Sequence, residues 1–235
     1  MKRLLIAMAL IAGLAVASHA ILTFYLVDNF EDGTFSKWFA FDNVKLSILK
    51  NPKSEKKDLV LESCGENALK VVGAAKSWYV GGVGTSINVD PANYSRIQFD
   101  LLGGLPQGKV KVELYQDSDK SGDIQQDANN NWKVTKDDIF GVEVPILKDG
   151  YTRYSIPFIA FSVSNPGVGT GRFGDGPILR MQMIFIAATQ EGSVDCAVDN
   201  IIISHYLKGD IDEKLDFGRS DRSGPDRVRA RLLAR

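Results

Sequence analysis

"RIQFDLLGGLPQGKVKVELY", residues 96–115, decides the fold of this chain. Ile97, Phe99 and Leu101 alternate with Arg96, Gln98 and Asp100, and Val110, Val112 and Leu114 alternate with Lys109, Lys111 and Glu113. A period of two sends successive side chains to opposite faces, so both halves are predicted as half-buried β-strands around the turn at 103–108. The same alternation returns at "YTRYSIPF" (151–158) and "LRMQMIF" (179–185), while "ALKVV" (68–72) and "VDNIIIS" (198–204) have the continuous apolar character of central strands. No long amphipathic helix precedes the C-terminal tail, and no repeat of fixed period occurs. Parallel strands need crossover helices, so many short strands without them predict an all-β antiparallel sandwich with jelly-roll connectivity.

At 235 residues and 44% hydrophobic content the chain can bury one sizeable core. Its 28 basic and 29 acidic residues leave no broad positive surface, which sets nucleic acid aside. The start, "MKRLLIAMALIAGLAVASHA", has Lys2 and Arg3 before an apolar run that falls short of the ~20 residues needed to span a bilayer, then Ser18-His19-Ala20. That pattern predicts a signal peptide at 1–20, with a secreted (periplasmic, cell-surface or extracellular) mature chain and no later transmembrane segment. The expected domain is 21–207, followed by a charged tail at 208–235 whose arginine-rich end is read either as solvated or as docking on an anionic surface polymer. In an oxidising compartment Cys64 and Cys196, the only cysteines, are read as a disulfide or as two buried thiols.

Signatures of catalysis are few. His19 leaves with the leader, so His205 alone remains for any Ser-His-Asp or Cys-His arrangement. The G-x-G-x-x-G at Gly169, Gly171 and Gly174 leads into a strand with no helix behind it, and so reads as a flexible loop and not a dinucleotide site. Paired carboxylates for glycoside hydrolysis leave no linear signature, which keeps a hydrolase as an alternative.

Residues 117–138, "DSDKSGDIQQDANNNWKVTKDD", hold six aspartates and three consecutive asparagines between one strand and the next. From Asp127 the spacing of a calcium loop places Asp127, Asn129, Asn131 and Asp138 at ligand positions, with Trp132 where glycine is wanted. From Asp117 it places Asp117, Asp119, Ser121 and Gly122, but Ala128 stands where the last carboxylate belongs. Without an ion the segment reads as a long, solvated hairpin loop. A sugar stacks its apolar face on an aromatic ring and offers hydroxyls to planar polar groups. Trp78, Tyr79, Tyr115 and Trp132, with Arg96, Gln98, Asp100, Arg180 and Gln182 on polar strand faces, are therefore candidate glycan contacts. Trp38 is read as core.

"DNFEDGTFSKWFAF", "NALKVV", "SRIQFDLLG", "KVKVELY", "YTRYSIPFIAFS" and "SVDCAVDNIIIS" follow one another in the order found in galactose-binding-like β-jelly-roll domains. The chain resembles that group, which includes many non-catalytic carbohydrate-binding modules of secreted bacterial proteins, over residues 25–204. The resemblance implies a glycan or cell-surface polysaccharide as partner, no catalytic residue, and a structural calcium held by Glu31, Gly33 and Asp199. The alternative from another class is a structural component of an envelope or extracellular assembly.

Overall fold

The computed structural model describes residues 24–50, 65–103, 108–147 and 150–205. The leader, Cys64 and with it the reading of a Cys64–Cys196 disulfide, and the tail lie outside them. Two large antiparallel sheets face each other. Sheet A is ordered β11 (Tyr151–Pro157), β6 (Arg96–Leu102), β14 (Ser193–Ser204), β4 (Asn67–Ala74), β3 (Val44–Lys50), with β1 (Phe24–Asp28) also paired to β14. Sheet B runs β12 (Ser162–Val163), β10 (Asp138–Pro145), β7 (Gly108–Gln116), β13 (Ile178–Ala187), β5 (Tyr79–Val89), β2 (Trp38–Asp42). β8 (Gln126–Asp127) and β9 (Lys133–Val134) form a separate small hairpin. The expected all-β jelly-roll sandwich is the fold observed.

The two strands of the opening stretch lie in different sheets, because the chain crosses the sandwich between β6 and β7. Their apolar sets meet in one core: Ile97, Phe99 and Leu101 from β6 pack with Val110, Val112 and Leu114 from β7, joined by Met181, Met183 and Phe185 of β13. Trp38 belongs to this core, its Nε1 donating to Asp28 Oδ2 at 2.9 Å, as its apolar context predicts.

The polar face of β6 departs from the half-exposed expectation, since Gln98 and Asp100 are buried. Neighbouring strands supply the partners that allow this. Arg153 on β11 grips Asp100 through Nε (2.7 Å) and Nη2 (2.6 Å), Asn200 Nδ2 donates to Asp100 at 3.0 Å, and Gln98 Nε2 donates to Ser204 Oγ at 2.8 Å. A buried carboxylate is tolerated where a bidentate guanidinium and further donors replace its water.

The 117–138 segment connects β7 to β10 in an antiparallel hairpin, but it is more than a solvated turn. Ile124 and Val134 fold over Tyr115 as a small second core flanked by Ile139, Val168 and Leu179. Ile124 and Val134 seat this mostly polar stretch against Tyr115 of β7.

Candidate functional site: the outer face of sheet B

The outer face of sheet B begins at its edge with Phe39 and Phe41, alternate residues of β2 that pair with Gly84 and Gly82 of β5. A Cβ on either glycine would lie 2.3 Å from the Cζ of the facing ring, so the rings lie over bare backbone, 6.2 Å apart. Only glycine permits so close an approach. Phe39 remains 43% exposed, a large fraction for a phenylalanine already seated on a sheet. The registers then lead across the sheet from Gly84 to Gln182, from Gln182 to Glu113, and from Glu113 to Gly141.

These central groups are linked. Tyr115 Oη lies 2.8 Å from Gln182 Oε1 and 3.1 Å from Glu113 Oε2, with one proton to donate between them. Lys111 Nζ sits 2.6 Å from Glu113 Oε1. Burial, and then the charge of Glu113, push the Tyr115 phenol far above its ordinary value, so it stays a donor at any physiological pH. Gln182 Nε2 makes no hydrogen bond to a described residue and is free for a ligand oxygen. Arg180, one register step along β13, lies 5.5 Å from the Tyr115 ring centroid, and its Nη1 donates to Gln126 Oε1 at 2.6 Å. Past Glu113 the face deepens into an open groove of about 370 Å³ lined by Lys111, Gly141, Glu143, Ala160, Ser162 and Ser164.

The candidate contacts named from sequence are divided by this geometry. Tyr115, Arg180 and Gln182 come together here. Arg96, Gln98 and Asp100 lie on the opposite side of the sandwich, on the outer face of sheet A, where Arg96 Nη1 donates to Ser155 Oγ at 2.8 Å. No single ligand on one face reaches both sets. Trp78 and Trp132 lie towards opposite ends of β13: Trp78 O accepts from Ala187 N at one end, and at the other Trp132 O accepts from Gln126, the partner of Arg180. Each is the second of two consecutive left-handed residues in a tight turn (Ser77 φ 57, Trp78 φ 69; Asn131 φ 50, Trp132 φ 56), and each is exposed. Tyr79, beside Trp78, donates to Asp42 Oδ2 at 2.5 Å. Phe39, Phe41, Lys111 and Glu113 were missed. The alternation of "WFAF" and the glycines of "YVGGVG" carry the signal for the first two, but only the register joins them.

Two acidic regions meet the chemistry of a hard cation. Asp199 is fully buried; its Oδ1 accepts from Asn200 N at 2.7 Å, and its Oδ2 has no hydrogen-bond partner among the described residues. Burial, with the charges of Asp100 and Glu31, pushes its carboxyl up to about 7. A buried carboxylate oxygen of this kind suits calcium, whose shell is built from such oxygens, but among the described residues no three acidic groups here close to within 4.8 Å of one another. Glu31 also accepts from Glu66 N and Asn67 N, each at 3.0 Å, while Gly33 closes a turn by donating to Phe30 O at 2.9 Å.

In the loop, carboxylate oxygens of Asp117, Asp119 and Asp137 lie within 4.8 Å of one another and could hold a metal ion. Asp137 enters from the far end of the segment, on the side where Ala128 left the Asp117 frame short. Burial, together with the charges of Asp119 and Asp117, raises its carboxyl. The Asp127 frame is dispersed: Asp127 Oδ1 caps the turn at 128–130 through Asn129 N at 2.9 Å, whereas the Asp138 carboxylate accepts from Ser118 Oγ (2.7 Å) and Thr170 N (2.8 Å). Asn131 adopts φ 50 at the end of that turn. Cys196 is buried, its thiol pushed up to about 12 by that burial.

Comparison with solved structures finds the same β-sandwich fold in carbohydrate-binding modules. The family 11 carbohydrate-binding module from Clostridium thermocellum, in complex with a β-1,3-1,4-mixed-linked tetrasaccharide, superposes with a TM-score of 0.55 at 16% identity, over 80% of this chain and 98% of that one. The same family's module from the cellulosomal cellulase Lic26A-Cel5E of Clostridium thermocellum gives 0.54 at 15% identity, over 80% and 98%. An exo-β-agarase matches with a TM-score of 0.50 at 13% identity, over 78% of this chain and 25% of that one. No family model matches the chain, and no curated protein matches it in sequence.

Proposed function

We propose that the protein is a secreted, non-catalytic glycan-binding domain that holds a polysaccharide against the outer face of sheet B. The observation that carries this is the row running from Phe39 and Phe41, laid flat over Gly84 and Gly82, through Gln182 and Tyr115 to Lys111 and the groove beyond. Flat apolar area followed by fixed planar polar groups suits a sugar, which offers a C–H face and a rim of hydroxyls. The similarity in fold to modules that bind oligosaccharides supports the reading. Residues 1–20 direct export and 21–207 form the binding domain. No helix among the described residues is long and apolar enough to cross a membrane.

Calcium, in this reading, ties Glu31 near the start of the domain to Asp199 in the last strand, and a second ion joins Asp117, Asp119 and Asp137. Trp132 and Trp78 lie at the ends of the face, where a long chain would meet them.

The test is affinity electrophoresis of residues 21–235 through gels carrying a panel of polysaccharides that includes mixed-linked β-glucan. Parent protein is expected to be retarded by at least one polymer. Phe39→Ala and Gln182→Ala should each weaken that retardation about tenfold, with melting temperatures close to the parent's. If no polymer retards the parent, the glycan reading fails. Full retardation of both variants would move the site off this face.

A further inference from the structure

On the same face, and resting on the glycan reading, we propose that Arg180 selects a sugar bearing an anionic substituent, a carboxylate or a sulfate, and that the ligand is an acidic polysaccharide. Cations on this face are otherwise answered by protein carboxylates. Lys111 has Glu113 at 2.6 Å, and Lys109 has Glu143 at 3.4 Å. Arg180 has no carboxylate within 4.0 Å among the described residues. Glu113, the buried acid of this row, is already engaged by Lys111 and approached by the Tyr115 hydroxyl.

What holds Arg180 is neutral: the Gln126 amide oxygen on Nη1 and the π-face of Tyr115. Those contacts fix the guanidinium plane but leave its charge uncompensated and its other edge without a described partner. A planar guanidinium immobilised by neutral groups presents its remaining N–H donors as a preformed fork, the geometry that carboxylate and sulfate oxygens match. Its position is also apt, because Arg180 lies one register step from Gln182, so an anion here would belong to the same sugar chain that covers the row.

The nearby aspartates do not fill this role. Asp117, Asp137 and Asp138 are at most 1% exposed, and their carboxylates are turned onto backbone amides: Asp117 receives Gly122 N, Asp137 receives Gln125 N and Asp138 receives Thr170 N.

The experiment compares parent, Arg180→Gln, Arg180→Lys and Gln126→Ala in gels carrying polygalacturonate, a sulfated galactan or neutral mixed-linked β-glucan. The parent should be retarded more by one of the acidic polymers than by the neutral one, and raising salt should weaken that retardation. Which acidic polymer retards it tells carboxylate from sulfate. Arg180→Gln should lose at least about tenfold of the acidic-polymer affinity. Arg180→Lys should restore only part of it, because an ammonium keeps the charge without the fork. Gln126→Ala should lose a smaller factor through freeing the guanidinium, and serves if Arg180→Gln does not fold. Retardation by the neutral polymer alone, or equal retardation of parent and Arg180→Gln by the acidic polymer, overturns this proposal and leaves the glycan reading intact. Absence of retardation by every polymer overturns both.

Discussion

With calcium removed by chelator, the melting temperature falls as the pH is raised from about 4 to about 8, and Asp199→Asn abolishes most of that fall. The cause is the buried Asp199 carboxyl, held up near 7 against an ordinary value of 3.8 by burial and by the negative charges of Asp100 and Glu31. A carboxyl raised in the folded state binds its proton more tightly there than in the unfolded chain. Its contribution to stability is therefore complete below 3.8 and lost as the pH climbs through 7. The difference amounts to roughly 4 kcal/mol, or about 10 °C for a domain of this size.

Calcium should reverse the sign. It binds the ionised carboxylate, so its stabilisation grows with pH, reaching about 2.7 kcal/mol at a hundredfold excess over Kd. Asp199→Asn should therefore melt above the parent at high pH in chelator, yet gain less from calcium. Scanning calorimetry across the pH range checks both arms. If parent and variant show the same pH dependence in chelator, Asp199 does not carry the buried charge. If both gain equally from calcium, Asp199 is not a ligand.

How much of this was legible in the sequence depended on whether the partner lay close along the chain. The alternation of Ile97, Phe99 and Leu101 states which face of β6 is apolar, and the structure keeps that assignment. It could not reveal that Gln98 and Asp100 are buried as well, because Arg153, Asn200 and Ser204, which make that burial tolerable, arrive from other strands. The same limit divided the binding residues. Arg96 and Arg180 read alike, as basic residues on polar strand faces, yet they stand on opposite sides of the sandwich. In the acidic loop the Asp117 frame lacked its last ligand along the chain. Asp137 supplies a carboxylate through space, because β7 and β10 pair at Gln116 and Asp138 and bring the two ends of the segment together.

Asp138, a metal ligand in the reading that begins at Asp127, is instead expected to act as a calcium-independent clasp for two loops. Its carboxylate accepts from Ser118 Oγ at 2.7 Å, Thr170 N at 2.8 Å and Gly171 N at 3.0 Å, and it is 1% exposed. Gly169 faces it so closely that a Cβ there would lie 2.5 Å from the carboxylate. Asp138→Ala leaves those donors without an acceptor in a place water does not reach, a loss of roughly 3–5 kcal/mol when unpaired buried donors cost about 1–3 kcal/mol each. Limited proteolysis should then cut within 117–138 and 164–177 far faster than in the parent, to the same extent with calcium and with chelator. Asp119→Ala provides the contrast. Its carboxylate sits at the exposed side of the acidic triad, so its loss should abolish any calcium protection of the loop while the chelated protein resembles the parent. A defect in Asp138→Ala that appears only in the presence of calcium would return Asp138 to the role of metal ligand and discard the clasp.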